Sequence, residues 1–83
     1  MSVLNNYTVL ELAGIGPGPM AGMMLADMGA TVIRVERPGT RAHSNSDISL
    51  RGKKSLVLDP KHRDGPAALL RMIKQADVLI DPF

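Results

Sequence analysis

The sequence predicts an α/β fold built from four short strands and two helices, and two observations support this. Each predicted strand is apolar along nearly its whole length, as in parallel strands that are covered on both faces. Segments with helical periodicity lie between the first and second strands and between the third and fourth. This alternation is typical of a parallel sheet joined by right-handed crossovers.

The first β-α-β unit occupies the N-terminal part of the chain. Residues 8–12, "TVLEL", are β-branched and apolar and predict the first strand. A helix is expected over residues 19–28, because Pro19 suits a first helical turn and methionines recur at helical spacing. Gly29 then predicts a left-handed stop. Residues 30–36, "ATVIRVE", predict the second strand.

A long loop separates this unit from a second one. Residues 37–54, "RPGTRAHSNSDISLRGKK", are rich in Pro, Gly, Ser and charge and show no period, so we expect a functional or disordered loop. Strands are expected at residues 55–59 and 77–81, with a helix at residues 64–75 that opens on Asp-Gly-Pro. Two helices cannot cover four strands on both faces. We therefore expect a partial Rossmann-like parallel sheet that is the N-terminal part of a larger domain; the alternative is a complete small domain.

Composition narrows the functional classes. The chain has 83 residues, a net charge of +2, and Tyr7 and Phe83 as its two aromatic residues, which is too little for a nucleic-acid surface. It has no cysteine, which excludes disulfides and thiolate metal sites. No apolar run approaches the ~20 residues of a membrane span, and no signal peptide is recognisable at the N-terminus. We expect an intracellular protein that binds neither nucleic acid nor a metal ion.

The glycine-rich stretch after the first strand has two interpretations. Residues 16–21, "GPGPMA", fit the permissive dinucleotide pattern G-x-G-x-x-G/A, and Glu36 follows at the spacing of a ribose-binding carboxylate. A phosphate site of this kind uses successive backbone N–H groups, and Pro17 and Pro19 have none. The alternative is a tight strand-to-helix turn that serves close packing.

Three blocks of the sequence resemble the family III CoA-transferases, the CaiB/BaiF-like family that includes formyl-CoA transferase and α-methylacyl-CoA racemase. The blocks are "VLELAGIGPGPMAGMMLADMGATVIRVERPG", "RGKKSLVLDPK" and "ADVLIDPF", in the family's order and at similar spacing. Within the family, "ELAGIGPGP" and "RGKKSLVLD" are most similar to the racemase branch. The resemblance implies that residues 1–83 are the N-terminal CoA-binding part of a longer domain.

The resemblance also implies a set of residues that contact coenzyme A: Ile15, Gly16, Arg37, Leu58, Asp59, Pro60 and Lys61. Arg37 follows the second strand, where open α/β sheets bind ligands, and its planar guanidinium suits phosphate oxygens. Its alternative is a solvated surface arginine. Asp59 is expected either to hold an adenosine hydroxyl or to cap the strand end, and Pro60 departs from the family's usual apolar residue.

For activity, the resemblance implies an enzyme of acyl-CoA thioesters, foremost a 2-methylacyl-CoA racemase that removes and returns an α-proton. A CoA transferase of the same family and a non-catalytic nucleotide-binding module are the alternatives. The proton-transfer motifs of similar proteins lie beyond Phe83, so we expect no catalytic residue in this chain, His43 and His62 included. No prosthetic group is expected, because coenzyme A enters as part of the substrate.

The same resemblance implies an interlocked homodimer for the full-length parent. It implies a cytoplasmic location in a bacterium, or a mitochondrial or peroxisomal one in a eukaryote. The first helix carries a cluster of methionines, Met20, Met23, Met24 and Met28. We expect this cluster to pack between helix and sheet, the alternative being an acyl-binding surface.

Overall fold

A computed structural model describes residues 3–14, 17–38, 50–59 and 61–82 of the chain. Its elements in chain order are β1 (Thr8–Leu12), α1 (Pro17–Asp27), β2 (Thr31–Glu36), β3 (Lys53–Val57), α2 (Gly65–Gln75) and β4 (Val78–Ile80). All six predicted elements are therefore present, in the predicted order.

The four strands form one sheet in the order β3-β2-β1-β4, and every neighbouring pair is parallel. This confirms the predicted α/β class and excludes antiparallel pairing of β1 with β2. The order is that of the first four strands of a doubly wound sheet. Because β1 is paired on both sides, Leu10 lies opposite Ile33 of β2 and Leu79 of β4 and is 1% exposed.

Helix α1 begins two residues before the predicted start. Pro17 and Pro19 both fit into its first turn, where their missing N–H groups have no intrahelical partner to lose. The helix ends as predicted at Gly29, whose φ of 100° is left-handed, and the Ala30 N–H donates to the Leu25 carbonyl at 3.1 Å.

Strand β3 also begins two residues earlier than predicted, at Lys53. Its start is set by its partner, since Val32 of β2 pairs with Lys53, and not by the propensity of the lysine itself. Lys53 and Lys54, which the sequence places in the long loop, are therefore strand residues.

The apolar core lies between α1 and the sheet, where Val9, Ala30 and Val32 are buried. Of the methionine cluster, Met23 belongs to this core, whereas Met20, Met24 and Met28 are 40–53% exposed. The expectation that the cluster is core is therefore wrong for three of its four members. Residues spaced four apart share one helical stripe, and this stripe faces away from the sheet.

Helix α2 begins at Gly65, as the Asp-Gly-Pro sequence predicts, and ends before Ala76, whose N–H donates to the carbonyls of Met72 and Ile73. Lys74 lies in its last turn, where a cation is favoured by the helix dipole. Across the described part of the chain, neither helix has the length and apolar character needed to cross a bilayer.

Candidate functional site

The carboxyl ends of the four parallel strands share one edge of the sheet. At this edge Arg37 follows β2, and Leu58, Asp59 and Lys61 follow β3. Arg37, Asp59 and Lys61 are exposed and Leu58 is half-buried. In open α/β sheets this edge is where ligands bind, and we call it the carboxyl edge.

Backbone hydrogen bonds tie the strand exits together. The Leu58 N–H donates to the Glu36 carbonyl at 2.8 Å, so the chain leaving β3 lies beside the chain leaving β2. The Ala13 N–H donates to the Val35 carbonyl at 2.9 Å, which does the same for β1 and β2. The start of the Arg37 segment is therefore fixed relative to residues on both sides.

Asp59 organises the turn between β3 and α2. Its Oδ1 accepts a hydrogen bond from the Lys61 N–H at 2.8 Å, and its carbonyl accepts one from the His62 N–H at 3.2 Å. His62 Nδ1 in turn accepts from the Asp64 N–H at 3.2 Å. These contacts are those of the strand-end cap, one of the two interpretations of Asp59, and they give His62 a structural role in the turn.

The structure thus brings four of the seven predicted contact residues to one edge: Arg37, Leu58, Asp59 and Lys61. Ile15, Gly16 and Pro60 lie outside the described residues, as does His43. Binding of coenzyme A by any of the seven stays a prediction.

The turn from β1 into α1 favours close packing over dinucleotide binding. Among the first four helical residues, Pro17 and Pro19 offer no N–H group to an anion. A Cβ built on Gly14 would lie 2.5 Å from Cγ of Pro82, so the segment that follows β4 packs directly against this turn.

A buried charge network lies beside this edge, on the sheet face that α1 covers. It was not predicted from the sequence. Glu11 of β1 is 0% exposed, and its Oε2 accepts hydrogen bonds from Lys53 Nζ at 3.0 Å and Arg34 NH1 at 3.4 Å. Its Oε1 lies 2.7 Å from Lys53 Nζ but in an ion pair without hydrogen-bond geometry. Lys53 also donates to the Pro19 carbonyl of α1 at 3.0 Å.

The network continues along β2 to the carboxyl edge. Arg34 Nε donates to Oε1 of Glu36 at 3.2 Å, and the Ser55 hydroxyl of β3 donates to Oε2 of Glu36 at 3.1 Å. Two carboxylates and two cations thus alternate across three strands. The Glu36 carboxylate is thus held on the sheet by Arg34 and Ser55.

Lys53, which the sequence places in the long loop, is a strand residue whose side chain is only 2% exposed. The signal that was available is the presence of single charges, Glu11 and Arg34, inside otherwise apolar strands. Such charges are rarely buried unless they are paired.

The geometry defines a class of protein, a doubly wound parallel α/β sheet with cations at the edge where such sheets bind ligands. The profile of CoA-transferase family III matches residues 4–83, and the chain belongs to that family. This confirms the resemblance of the three sequence blocks.

The relatives include racemases and CoA-transferases. The chain is 51% identical over 82 residues to alpha-methylacyl-CoA racemase of Homo sapiens, covering 96% of this chain and 20% of the racemase. It is 40% identical over 99 aligned positions to succinate–glutarate CoA-transferase of Agrobacterium fabrum, covering 96% of this chain and 25% of the transferase.

Solved structures agree with the fold. A protein of Mycobacterium tuberculosis, Rv3272, superposes with a TM-score of 0.80 at 32% identity over 95% of this chain and 25% of its own. A CAIB/BAIF family protein of Brucella suis superposes with a TM-score of 0.79 at 33% identity over 94% of this chain and 25% of its own. The chain therefore spans about a fifth to a quarter of the length of the proteins it matches.

Proposed function

We propose that this chain forms the coenzyme A-binding end of an enzyme that acts on acyl-CoA thioesters, and that the reaction is racemisation at the α-carbon. The observation that carries the proposal is the 51% identity to the human racemase, set against 40% to the Agrobacterium transferase, each over 96% of the chain. A CoA transfer between carboxylic acids is the alternative within the family.

The carboxyl edge supplies the chemistry that coenzyme A requires. The ligand carries a pyrophosphate and a 3′-phosphate, and exposed Arg37 and Lys61 provide cations at this edge. Leu58 offers apolar surface and Asp59 a carboxylate next to the adenosine. In this proposal Ile15 and Gly16, which come between β1 and α1 in the sequence, also contact the ligand, and Pro60 has no backbone N–H to donate to it.

Racemisation of a 2-methylacyl-CoA breaks the α-carbon–hydrogen bond on one face and forms it again on the other. The thioester carbonyl makes that proton acidic, and an enolate carries the electron pair between the two steps. Opposed acid–base groups are required for this chemistry. The proposed part of this chain is to bind and orient the CoA moiety, so that binding energy remote from the reacting carbon places it correctly.

A graft tests the proposal and separates the two reactions. Residues 4–83 of this chain replace the matching segment in the human racemase and, separately, in the Agrobacterium transferase. Both chimeras are then assayed. We expect α-deuterium exchange into a 2-methylacyl-CoA by the racemase chimera at a rate near that of its parent. Activity retained only in the transferase chimera would instead favour CoA transfer.

The graft needs a control for misfolding. Each chimera is compared with its parent by thermal unfolding and by its affinity for free coenzyme A. The racemase chimera is also compared with the same chimera carrying Arg37→Ala. If both are folded and bind coenzyme A equally well, the proposed role of the segment is contradicted.

A further inference from the structure

We propose that Glu36 and Ser55 are positioning residues for coenzyme A. Their hydrogen bond, anchored by the buried charge network, fixes the end of β2 from which Arg37 reaches the phosphates. This inference rests on the proposed function and adds two residues that act through Arg37.

The charge network that holds the Glu36 side chain is buried. Glu11 is 0% and Arg34 4% exposed, and only 2% of the Lys53 side chain is exposed. Removing charges from water is so unfavourable that buried ion pairs seldom stabilise a fold more than apolar residues of the same size. Their best-attested use is to specify one arrangement among alternatives, here the mutual placement of β1, β2 and β3.

The network ends at Glu36. Glu36 is the last residue of β2, and it contacts β3 in two ways. Its Oε2 accepts the Ser55 hydroxyl at 3.1 Å, and its carbonyl accepts the Leu58 N–H at 2.8 Å. Arg37 is the next residue in the chain. Its backbone therefore starts from a residue that β3 holds through both its side chain and its main-chain carbonyl.

Ser55, in contrast to the network, is exposed. Its side chain lies on the edge strand and is exposed, whereas the ion pair of Glu36 with Arg34 is 14% and 5% exposed on its two sides. Loss of the Ser55 hydroxyl therefore leaves the ion pairs and the fold in place. Among the described contacts, it removes the hydrogen bond that ties the Glu36 side chain to β3.

The experiment uses the 83-residue chain and three variants, with coenzyme A binding measured by calorimetry in one buffer. For Ser55→Ala we expect a dissociation constant about 3- to 10-fold higher, which is less than the full value of a hydrogen bond to a carboxylate because the lost contact acts on the ligand through Arg37. Ser55→Thr keeps the hydroxyl and should stay within about twofold of the wild type. Asp27→Asn is the matched control for a lost surface contact, since Asp27 pairs with Arg51 away from this edge, and it should also stay within about twofold.

A second measurement reports on Arg37 itself, without ligand. The order parameters of its backbone N–H and of its side-chain Nε–H, from ¹⁵N relaxation, should fall in Ser55→Ala and be restored in Ser55→Thr. The positioning role would be overturned if the wild type binds coenzyme A and Ser55→Ala has the same dissociation constant and the same Arg37 order parameters. A wild-type chain that is folded by its ¹⁵N spectrum but does not bind coenzyme A would overturn the proposed function, and the CoA-positioning role with it.

Discussion

Two neighbouring residues at the end of β2 carry opposite charges and have different surroundings. The Glu36 side chain lies on the sheet, where Arg34 and Ser55 donate to its two oxygens. Arg37 is exposed at the carboxyl edge. Because the negative charge of Glu36 is already partnered, its repulsion of a bound phosphate is reduced.

Replacing Arg37 tests the phosphate contact directly. Arg37→Ala should weaken coenzyme A binding by about 10- to 150-fold, the equivalent of one charged hydrogen bond of about 1.5–3 kcal/mol. The loss should be smaller for dephospho-CoA if the 3′-phosphate is the partner of Arg37. Arg71→Ala, on the exposed face of α2, is the control for lost charge. Equal dissociation constants for wild type and Arg37→Ala with both ligands would remove Arg37 from the site.

A surface ion pair gives the chain one pH-dependent contact. Arg51 donates to both carboxylate oxygens of Asp27, at 3.1 and 2.6 Å, and this hydrogen bonding, with the charge of Arg51, lowers the pKa of Asp27 below its ordinary value. The stabilisation from this pair is therefore present above the ordinary carboxyl pKa and is lost as the pH falls through the folded-state pKa.

The prediction is that Arg51→Gln raises the pKa of Asp27, as measured by a carboxyl ¹³C titration of the folded chain. High salt should move the wild-type value in the same direction, because both partners are exposed and screened. An Asp27 titration that is identical in the wild type and in Arg51→Gln would show that the pair does not form in solution.

At the scale of elements, helix α1 lies close to the sheet where Gly22 faces Glu11. A Cβ built on Gly22 would overlap Glu11 Oε1 and lie 3.1 Å from Lys53 Nζ. The buried residues of α1 are Gly18, Pro19, Gly22 and Met23. The absence of a side chain at Gly22 is therefore what allows the helix to cover the network.

Gly22→Ala gives a test in which two effects have opposite signs. Helix propensity alone predicts stabilisation by about 1 kcal/mol, whereas overlap with a buried carboxylate predicts destabilisation by about 1–3 kcal/mol. We expect destabilisation, measured by urea unfolding. Ala21→Gly, at an exposed position of the same helix, calibrates the propensity effect. A more stable Gly22→Ala chain would mean that α1 does not lie as close to Glu11 as described.

The network itself is tested by removing one charge. Lys53→Met should destabilise the fold by about 3–5 kcal/mol, because it leaves the Glu11 carboxylate buried with Arg34 as its remaining described partner. The double variant Glu11→Leu/Lys53→Met should recover much of that loss, since well-packed apolar residues replace such pairs at little cost. Equal unfolding free energies for wild type and Lys53→Met would contradict the burial of this pair.

At the scale of the whole molecule, apolar surface is concentrated on the outer strands and on α1. Leu56 and Val57 of β3, and Val78 and Leu79 of β4, are each between 37% and 60% exposed. Outer strands with such exposure are sites where other chain segments pair or aggregate. The chain on its own is therefore expected to be marginally stable.

The same scale sets the last prediction, that the 83-residue chain by itself does not catalyse racemisation or transfer. Exchange at an α-carbon requires a base within hydrogen-bond reach on each face and a group that holds the enolate oxygen. Of the two histidines, His62 lies in the turn before α2 and accepts the Asp64 N–H through Nδ1. The measurement is deuterium incorporation into a 2-methylacyl-CoA in deuterated buffer. Exchange above the buffer rate that disappears in His43→Ala or His62→Ala would place the chemistry in this chain.

The sequence by itself determined the order of the elements and the place of the candidate edge. Strand β1 matches its predicted bounds, and Gly29 ends α1 as predicted, because both depend on local periodicity and on the conformational preference of single residues. The family resemblance predicts Arg37, Leu58, Asp59 and Lys61 as contact residues. They lie at one edge because parallel strands end on the same side of the sheet.

Tertiary structure alone decided which charges are buried and which apolar residues are not. Lys53 looks like a loop lysine until β3 pairs with β2 in a register that places it beneath α1, against Glu11. Met24 looks like core until Gly22 and Met23 prove to be the buried side of the same helix. Both outcomes depend on contacts between residues far apart in the chain, and local propensity carries no information about such contacts.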